Sequence, residues 1–146
     1  MPSVHASAVL VGARAVLIRG PSGAGKSRLA LALLGAAQSG QIPFAMLVAD
    51  DRSHLQPQHG RLLVRPAPEL EGLIEAHGLG IRRLPYEPVA VVGLVVDLAA
   101  EDGGRLPAQA SERVTIDGIE LARLAVAPGA DPLPLVLAGL ATPPQP

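Results

Sequence analysis

One segment near the start of the chain has the residue types and the spacing of a phosphate-binding loop. It matches the pattern G-x-x-x-x-G-K-[ST] at each fixed position. Glycine backbone can fold closely around an anion, the lysine can reach the β- and γ-phosphates, and the final hydroxyl can ligate Mg²⁺. The loop consists of Gly20, Pro21, Ser22, Gly23, Ala24, Gly25, Lys26 and Ser27. The sequence therefore predicts binding of a nucleoside triphosphate.

The residues on either side of this loop predict the elements that position it. An apolar run at residues 15–18 leads in as a strand, and helix-forming residues from about Lys26 to Gln38 lead out. The positive end of that helix dipole would face the bound phosphates. Gly40 can close the helix. A glycine-rich turn that binds nothing is the alternative, and the strand–loop–helix context argues against it.

A magnesium ion held by a serine needs a second anchor, commonly an aspartate at the end of a buried strand. Asp50 follows the apolar residues 46–49, and Asp97 follows the apolar residues 93–96. The adjacent acids Asp50 and Asp51 are the sharper candidate. On extended backbone their carboxylates point to opposite sides, one towards the metal and the other towards a substrate hydroxyl. The alternatives are a solvated turn at Asp50 and Asp51 and a strand-end cap at Asp97.

The rest of the chain predicts many short strands and few helices. Strands are expected at residues 8–11, 15–18, 44–49, 54–56, 61–64, 89–98, 113–116 and 121–126, and a short second helix at residues 132–140. The strands at 8–18, 54–64 and 113–126 are spaced as hairpins. We expect a single β-rich α/β domain over residues 1–146, with a mixed sheet around one phosphate-loop helix. Residues 142–146 are expected to form a frayed tail.

Composition narrows the class of protein. Apolar residues make up 49% of the 146 residues but aromatic residues only 1%, so aliphatic side chains must form the core. The net charge of −1 and the lack of a basic run give no reason to expect a nucleic acid or membrane partner. The absence of cysteine excludes disulfides, thiolate zinc sites and cysteine nucleophiles. With neither a signal peptide nor an apolar run long enough to span a bilayer, a cytoplasmic protein is expected.

Four segments occur together in an order and spacing that narrow the family. They are His5-Ala-Ser-Ala-Val9, the phosphate loop, Leu47-Val-Ala-Asp-Asp-Arg52 and Ile74-Glu-Ala-His-Gly-Leu-Gly-Ile81. The set resembles the C-terminal catalytic domain of bacterial HPr kinase/phosphorylase. The resemblance covers residues 5–81 and is loose afterwards, and Glu-x-x-Gly-Leu-Gly-Ile is its most family-specific part. A chain that begins just before the histidine is similar to the short alphaproteobacterial form, without the N-terminal domain of longer members.

The resemblance implies a protein-serine kinase that phosphorylates HPr or an HPr-like phosphocarrier of a phosphotransferase system, with ATP as donor and Mg²⁺ as cofactor. It also implies a homo-oligomer, specifically a hexamer. The resemblance implies that Asp51 accepts the serine proton and that Asp50 supports both Asp51 and the metal. It implies that Lys26 and the loop amides bind ATP, and that Ser27 and Glu75 ligate Mg²⁺. It further places His5 beside the transferred phosphoryl group and makes Arg105 the arginine of a mobile loop.

Two departures from the family pattern bear on activity. His77 stands where the signature usually has arginine, so that a charged contact would depend on pH. Residues 126–130, which correspond to a basic segment associated with dephosphorylation, contain no basic residue, and this predicts weak phosphorylase activity. Two other functions stay open. A small-molecule kinase would be expected to carry an arginine-rich lid, for which only Arg82, Arg83 and scattered arginines are available. A regulatory module that only binds nucleotide would have little need of the base Asp51, so the presence of Asp51 and Glu75 argues against it.

Overall fold

The structure is a computed structural model that describes residues 2–104 and 112–142 of the chain. In chain order its elements are β1 (Ser3–Val11), β2 (Arg14–Arg19), α1 (Lys26–Gln38), β3 (Ala45–Ala49), β4 (Arg52–Gln58), β5 (Arg61–Pro66), a 3₁₀ turn (Pro68–Leu70), β6 (Leu73–Ala76), β7 (Gly80–Arg83), β8 (Ala90–Asp97), β9 (Arg113–Ile116), β10 (Ile119–Ala125) and α2 (Pro132–Ala141). Strands outnumber helices, as predicted. Arg105 and residues 143–146 of the expected tail lie outside the described residues.

Eight of the strands form one mixed sheet, and β6 and β7 pair with each other. The order in the large sheet is β2-β1-β4-β5-β8-β10-β9, with β3 also paired to β1. Strand β8 lies parallel to both β2 and β10, whereas the hairpin pairs are antiparallel. Because β2 pairs with β8 as well as with β1, the strands β2, β1, β4, β5 and β8 close into a ring. The expectation of a β-rich mixed sheet is confirmed.

The three predicted hairpins are present, and their turns explain where they bend. The β4–β5 and β9–β10 turns each have two residues with positive φ, His59–Gly60 and Asp117–Gly118, which is the conformation of a type I′ turn. The β4–β5 turn is shorter than expected, because Pro57 belongs to β4 and pairs with Leu62. Proline is tolerated there since β1 pairs with β4 only over residues 52–54.

The sheet buries apolar side chains on both of its faces. In β2, Val16 and Ile18 join Leu29 and Leu33 of α1 in one buried cluster. Leu17 points to the other side and packs in a second cluster that includes residues of β5 and β8. This division follows the alternation of side chains along a strand. Among the described residues, no helix is both long enough and apolar enough to cross a bilayer.

An ion-pair cluster joins the ends of β2, β8 and β10. Asp97 accepts hydrogen bonds from Nε and Nη2 of Arg19 at 2.7 and 2.8 Å and from Nε of Arg123 at 2.6 Å. Arg123 also donates to Asp102 at 2.7 Å. Burial alone would raise the pKa of Asp97, but the hydrogen bonds and positive charges of the two arginines outweigh it and hold that pKa below its ordinary value. Asp97, the alternative metal anchor, therefore ties three strands together.

We expect Asp97→Asn to lower the free energy of unfolding at pH 7 by about 1.5–3 kcal/mol, the range for hydrogen bonds to charged groups. Because the folded-state pKa is depressed, this contribution is complete above the unfolded-state value of about 3.9 and is lost as the pH falls through the folded-state pKa. Urea unfolding at pH 7 and pH 3 measures the free energy of unfolding of the parent and of the variant. The difference between the two proteins should be smaller at pH 3 than at pH 7. Glu120→Gln is the control, since its pair with Arg113 is exposed. A difference independent of pH would contradict this account.

Candidate functional site

The phosphate loop joins β2 to α1 and lies over the N-terminus of that helix. Gly23 and Gly25 have φ values of 82° and 101°, a left-handed conformation that a side chain would strain. Gly25 is the N-cap of α1, and no described side chain caps the helix there. The first N–H groups of α1 are therefore left for an anion, to which the positive end of the helix dipole adds its attraction.

Lys26 is folded back over its own loop. Its Nζ donates to the carbonyl oxygens of Gly20 at 2.9 Å and Pro21 at 3.3 Å, and the residue is only 9% exposed. It is the only lysine in the chain. The loop thus carries one ammonium group beside the N–H groups of the helix, an arrangement suited to polyphosphate.

Asp50 is hydrogen-bonded both to the phosphate loop and to two other segments of the site. It is 5% exposed, and its Oδ1 accepts hydrogen bonds from the hydroxyls of Ser27 at 2.6 Å and Ser7 at 2.8 Å. Its Oδ2 accepts the backbone N–H of Glu75 at 3.0 Å. Since the hydroxyl of Ser27 donates a hydrogen bond to Asp50, the lone pairs of the Ser27 oxygen remain available to a cation. Asp50 therefore holds segments of β1, α1 and β6 at the end of β3.

Asp51 does not have the extended backbone that the sequence suggested. Its φ is 68°, in the left-handed region, and that expectation was wrong because β1 changes neighbour at this point. Strand β1 pairs with β4 through residues 3–5 and with β3 through residues 8–11, so the chain between β3 and β4 leaves the ladder at Asp50 and Asp51. Aspartate tolerates this conformation better than most residues. Asp50 is consequently buried and Asp51 exposed.

Most of the predicted site lies along one cleft of about 490 Å³. Its lining includes Gly23, Lys26, Ser27, Asp51, Glu75 and His77. Glu75 and His77 come from the β6–β7 hairpin and its turn, an element that the sequence did not predict. A second cavity of about 470 Å³ lies between α1 and β3, and no titratable side chain of the described residues lines it. The cleft, with its acids, its ammonium group and its phosphate loop, is the candidate site.

Some predicted site residues do not line this cleft. Asp50 is buried behind Ser27, and Gly20, Pro21 and Ala24 belong to the loop but not to the lining. Two others lie further from it or are not described. His5 lies within β1 and not before it, because β1 begins at Ser3 in order to pair with β4. It is exposed, lies opposite Arg52, and precedes Ala6, whose N–H donates to the carbonyl of Asp51 at 3.1 Å. His5 is thus adjacent to the Asp51 segment but is not among the residues that line the cleft. Arg105 lies outside the described residues.

The donor atoms of the cleft fit a magnesium ion that shares its coordination with phosphate. The described residues contain no group of three or more histidine or acidic side chains able to hold a metal by themselves. Mg²⁺ is usually bound by one or two carboxylates together with substrate phosphates and water. The hydroxyl of Ser27 and the carboxylate of Glu75, which line the cleft, are hard oxygen donors of this kind, and the buried Asp50 accepts a hydrogen bond from Ser27.

The fold and the site together define a mixed α/β domain with a glycine-rich loop between a strand and a helix. The structure of the HPr(Ser) kinase/phosphatase from Coxiella burnetii has a similar fold, with a TM-score of 0.76 and 23% sequence identity over 97% of this chain and 89% of that chain. Compared with models of protein families, the sequence gives no match, and compared with curated protein sequences it gives no significant match. The resemblance drawn from the sequence motifs is confirmed at the level of the fold.

Proposed function

We propose that this protein is an ATP-dependent protein-serine kinase of the HPr kinase type, which phosphorylates HPr or an HPr-like phosphocarrier. The observation that carries the proposal is the cleft in which Lys26, Ser27, Asp51 and Glu75 meet. The likeness to the fold of an HPr(Ser) kinase/phosphatase supports a kinase-type enzyme. Hexameric assembly belongs to the proposal through the sequence resemblance, and a cytoplasmic location is proposed from the properties of the sequence itself.

In this proposal the loop amides and Lys26 bind the phosphates of ATP. The hydroxyl oxygen of the acceptor serine attacks the γ-phosphorus, the bond from that phosphorus to the β–γ bridging oxygen breaks, and ADP leaves. The hydroxyl proton passes to a carboxylate oxygen of Asp51. Ser27 and Glu75, supported by Asp50, would hold Mg²⁺, which when bound neutralises charge on the β- and γ-phosphates. His5 keeps its proposed place near the transferred phosphoryl group, and Arg105 stays the proposed counterpart of the family's loop arginine.

Labelled ATP tests the function against its two alternatives. The protein is incubated with γ-labelled ATP and Mg²⁺ in three parallel samples, which contain purified HPr, HPr whose acceptor serine is replaced by alanine, or a mixture of small metabolites. We expect label on the first carrier and none on the second. Label on small metabolites and not on HPr would favour a small-molecule kinase. Saturable ATP binding with no transfer would favour a regulatory module, and absence of ATP binding would contradict all three.

We further expect the reverse reaction to be weak. There, inorganic phosphate attacks the phosphorus of phosphoserine, releasing pyrophosphate and the serine hydroxyl, so the site must bind an additional dianion. Residues 126–130 contain no basic residue, and the charge of Arg123 is already balanced by Asp97 and Asp102.

Pyrophosphate release from phosphoserine-HPr, with Mg²⁺ and excess phosphate, should be at least about tenfold slower than the forward rate, which corresponds to about 1.4 kcal/mol in the barrier. The forward reaction of the same preparation is the control. Comparable rates in both directions would mean that positive charge reaches the cleft from another source.

A further inference from the structure

Ser7 is a buried residue of β1 that lies within the segment at residues 5–9 but has no role in the proposed mechanism. Its exposure is 0%. Its hydroxyl donates to Oδ1 of Asp50 at 2.8 Å and accepts the backbone N–H of Asp51 at 3.1 Å. One side chain therefore contacts both acids of the site, the carboxylate of the first and the backbone of the second.

The direction of these hydrogen bonds follows from donor and acceptor chemistry. The backbone N–H of Asp51 can only donate, so the Ser7 oxygen accepts from it. The single hydroxyl proton of Ser7 is then directed at Asp50. Oδ1 of Asp50 accepts a second hydrogen bond from the hydroxyl of Ser27, which belongs to the phosphate loop. The hydroxyl of Ser7 thus links the carboxylate of Asp50 to the backbone of Asp51.

This link lies where the backbone is strained. Residues 6 and 7 of β1 face the two residues that leave the ladder between β3 and β4. The left-handed conformation of Asp51, with φ of 68°, persists only when its surroundings impose it. The N–H of Ala6, which donates to the carbonyl of Asp51 at 3.1 Å, and the hydroxyl of Ser7, which accepts the N–H of Asp51, supply that restraint from β1.

We propose that Ser7 is a positioning residue, whose hydroxyl fixes Asp51 in its left-handed conformation and orients the carboxylate of Asp50 towards Ser27. Its effect on turnover rests on the proposed function, whereas its effect on the Asp51 turn does not. A misplacement of about 1 Å at a reacting group can lower a rate about 10²-fold. Loss of this hydroxyl should therefore act mainly on the rate of transfer and much less on ATP binding.

The chain offers a closely matched control in Ser53. It is also 0% exposed, and its hydroxyl donates to the carbonyl of Ala6 at 2.9 Å, but none of its described hydrogen bonds reaches Asp50 or Asp51. Ser7→Ala and Ser53→Ala each remove one buried hydroxyl from neighbouring strands. Urea unfolding reports the stability of both variants, so that a general weakening of the core is recognised.

The experiment has two readouts, phosphoryl transfer from MgATP to HPr and hydrogen exchange of the Asp51 amide followed by NMR. For Ser7→Ala we expect kcat to fall about 10- to 100-fold with KM for ATP changed less than about threefold, and the Asp51 amide to exchange faster. Ser53→Ala should retain the kcat and the Asp51 amide exchange rate of the parent protein.

Each result decides the inference. Equal losses of kcat in the two variants, or an Asp51 amide as protected in Ser7→Ala as in the parent, would overturn it. If the parent protein transfers no phosphoryl group, the proposed function fails. Selective loss of Asp51 amide protection in Ser7→Ala would still support the positioning role.

Discussion

Replacing Lys26 with alanine is expected to lower the rate of phosphoryl transfer from ATP by about 10²–10³-fold or more while the domain stays folded. Lys26 is the only lysine in the sequence, and its ammonium group lies against the loop carbonyls at the N-terminus of α1. No other side chain of the loop can neutralise charge on the β- and γ-phosphates as they separate. Calorimetric titration with ATP and a transfer assay with labelled ATP measure binding and turnover separately.

Arg61→Ala is a suitable control for Lys26→Ala, because it removes one positive charge from an exposed position on the β4–β5 hairpin. It should leave ATP binding and turnover unchanged. The lack of any other lysine gives an independent check, since amine-directed reagents can modify only Lys26 and the chain's α-amine. Bound ATP should protect Lys26 from modification. Unchanged turnover in Lys26→Ala would remove the basis for assigning the loop to ATP.

Asp51→Asn is expected to lower the rate of phosphoryl transfer by about 10²–10⁴-fold, the usual loss when a general base is removed. The amide keeps the shape of the carboxylate but cannot accept the serine proton. Asparagine also tolerates the left-handed backbone at this position, so the turn should be preserved. Steady-state kinetics with HPr and titration with ATP should show a large loss of kcat and a small change in affinity.

Asp50→Asn should lower the stability of the fold, whereas Asp51→Asn should lower mainly the rate of transfer. Both oxygens of the buried Asp50 carboxylate accept hydrogen bonds, so an amide would set its own N–H groups against a hydroxyl or the N–H of Glu75. A buried polar group left unsatisfied costs about 1–3 kcal/mol, and urea unfolding would detect it. If Asp50→Asn abolished transfer at full stability and Asp51→Asn were nearly silent, the roles of the two acids would be the reverse of those proposed.

The features that depend on local sequence could be predicted. Helix α1 runs from Lys26 to Gln38 as expected, because the loop motif sets its start and Gly40, with φ of 82°, follows its end. The hairpins follow from short strand candidates separated by turn residues, as at Asp117–Gly118. These signals lie within a few residues of the structure that they specify, so they can be read without knowledge of the fold.

The features that depend on distant contacts could not be predicted. The conformation of Asp51 follows from the change of partner along β1, and no local pattern encodes that change. The role of Ser7 has only a weak signal in the sequence, a hydroxyl between the two alanines of β1. The site nevertheless brings together Lys26, Ser27 and Asp51 from the predicted segments, because the loop motif and the paired acids both follow strands that pair with β1.

The closure of the strand ring by β2 and β8 bears on how the chain folds. The hairpins join residues that are close in sequence, whereas β2 meets β8 only across the whole of α1 and β3 to β7. Pairing over so long a loop carries a larger entropic cost and slows folding relative to local pairing. The phosphate loop begins where β2 ends, beside the end of β8, and Asp50 needs partners from β1, α1 and β6. A nascent or partly refolded chain is therefore expected to form its hairpins before the candidate cleft is assembled.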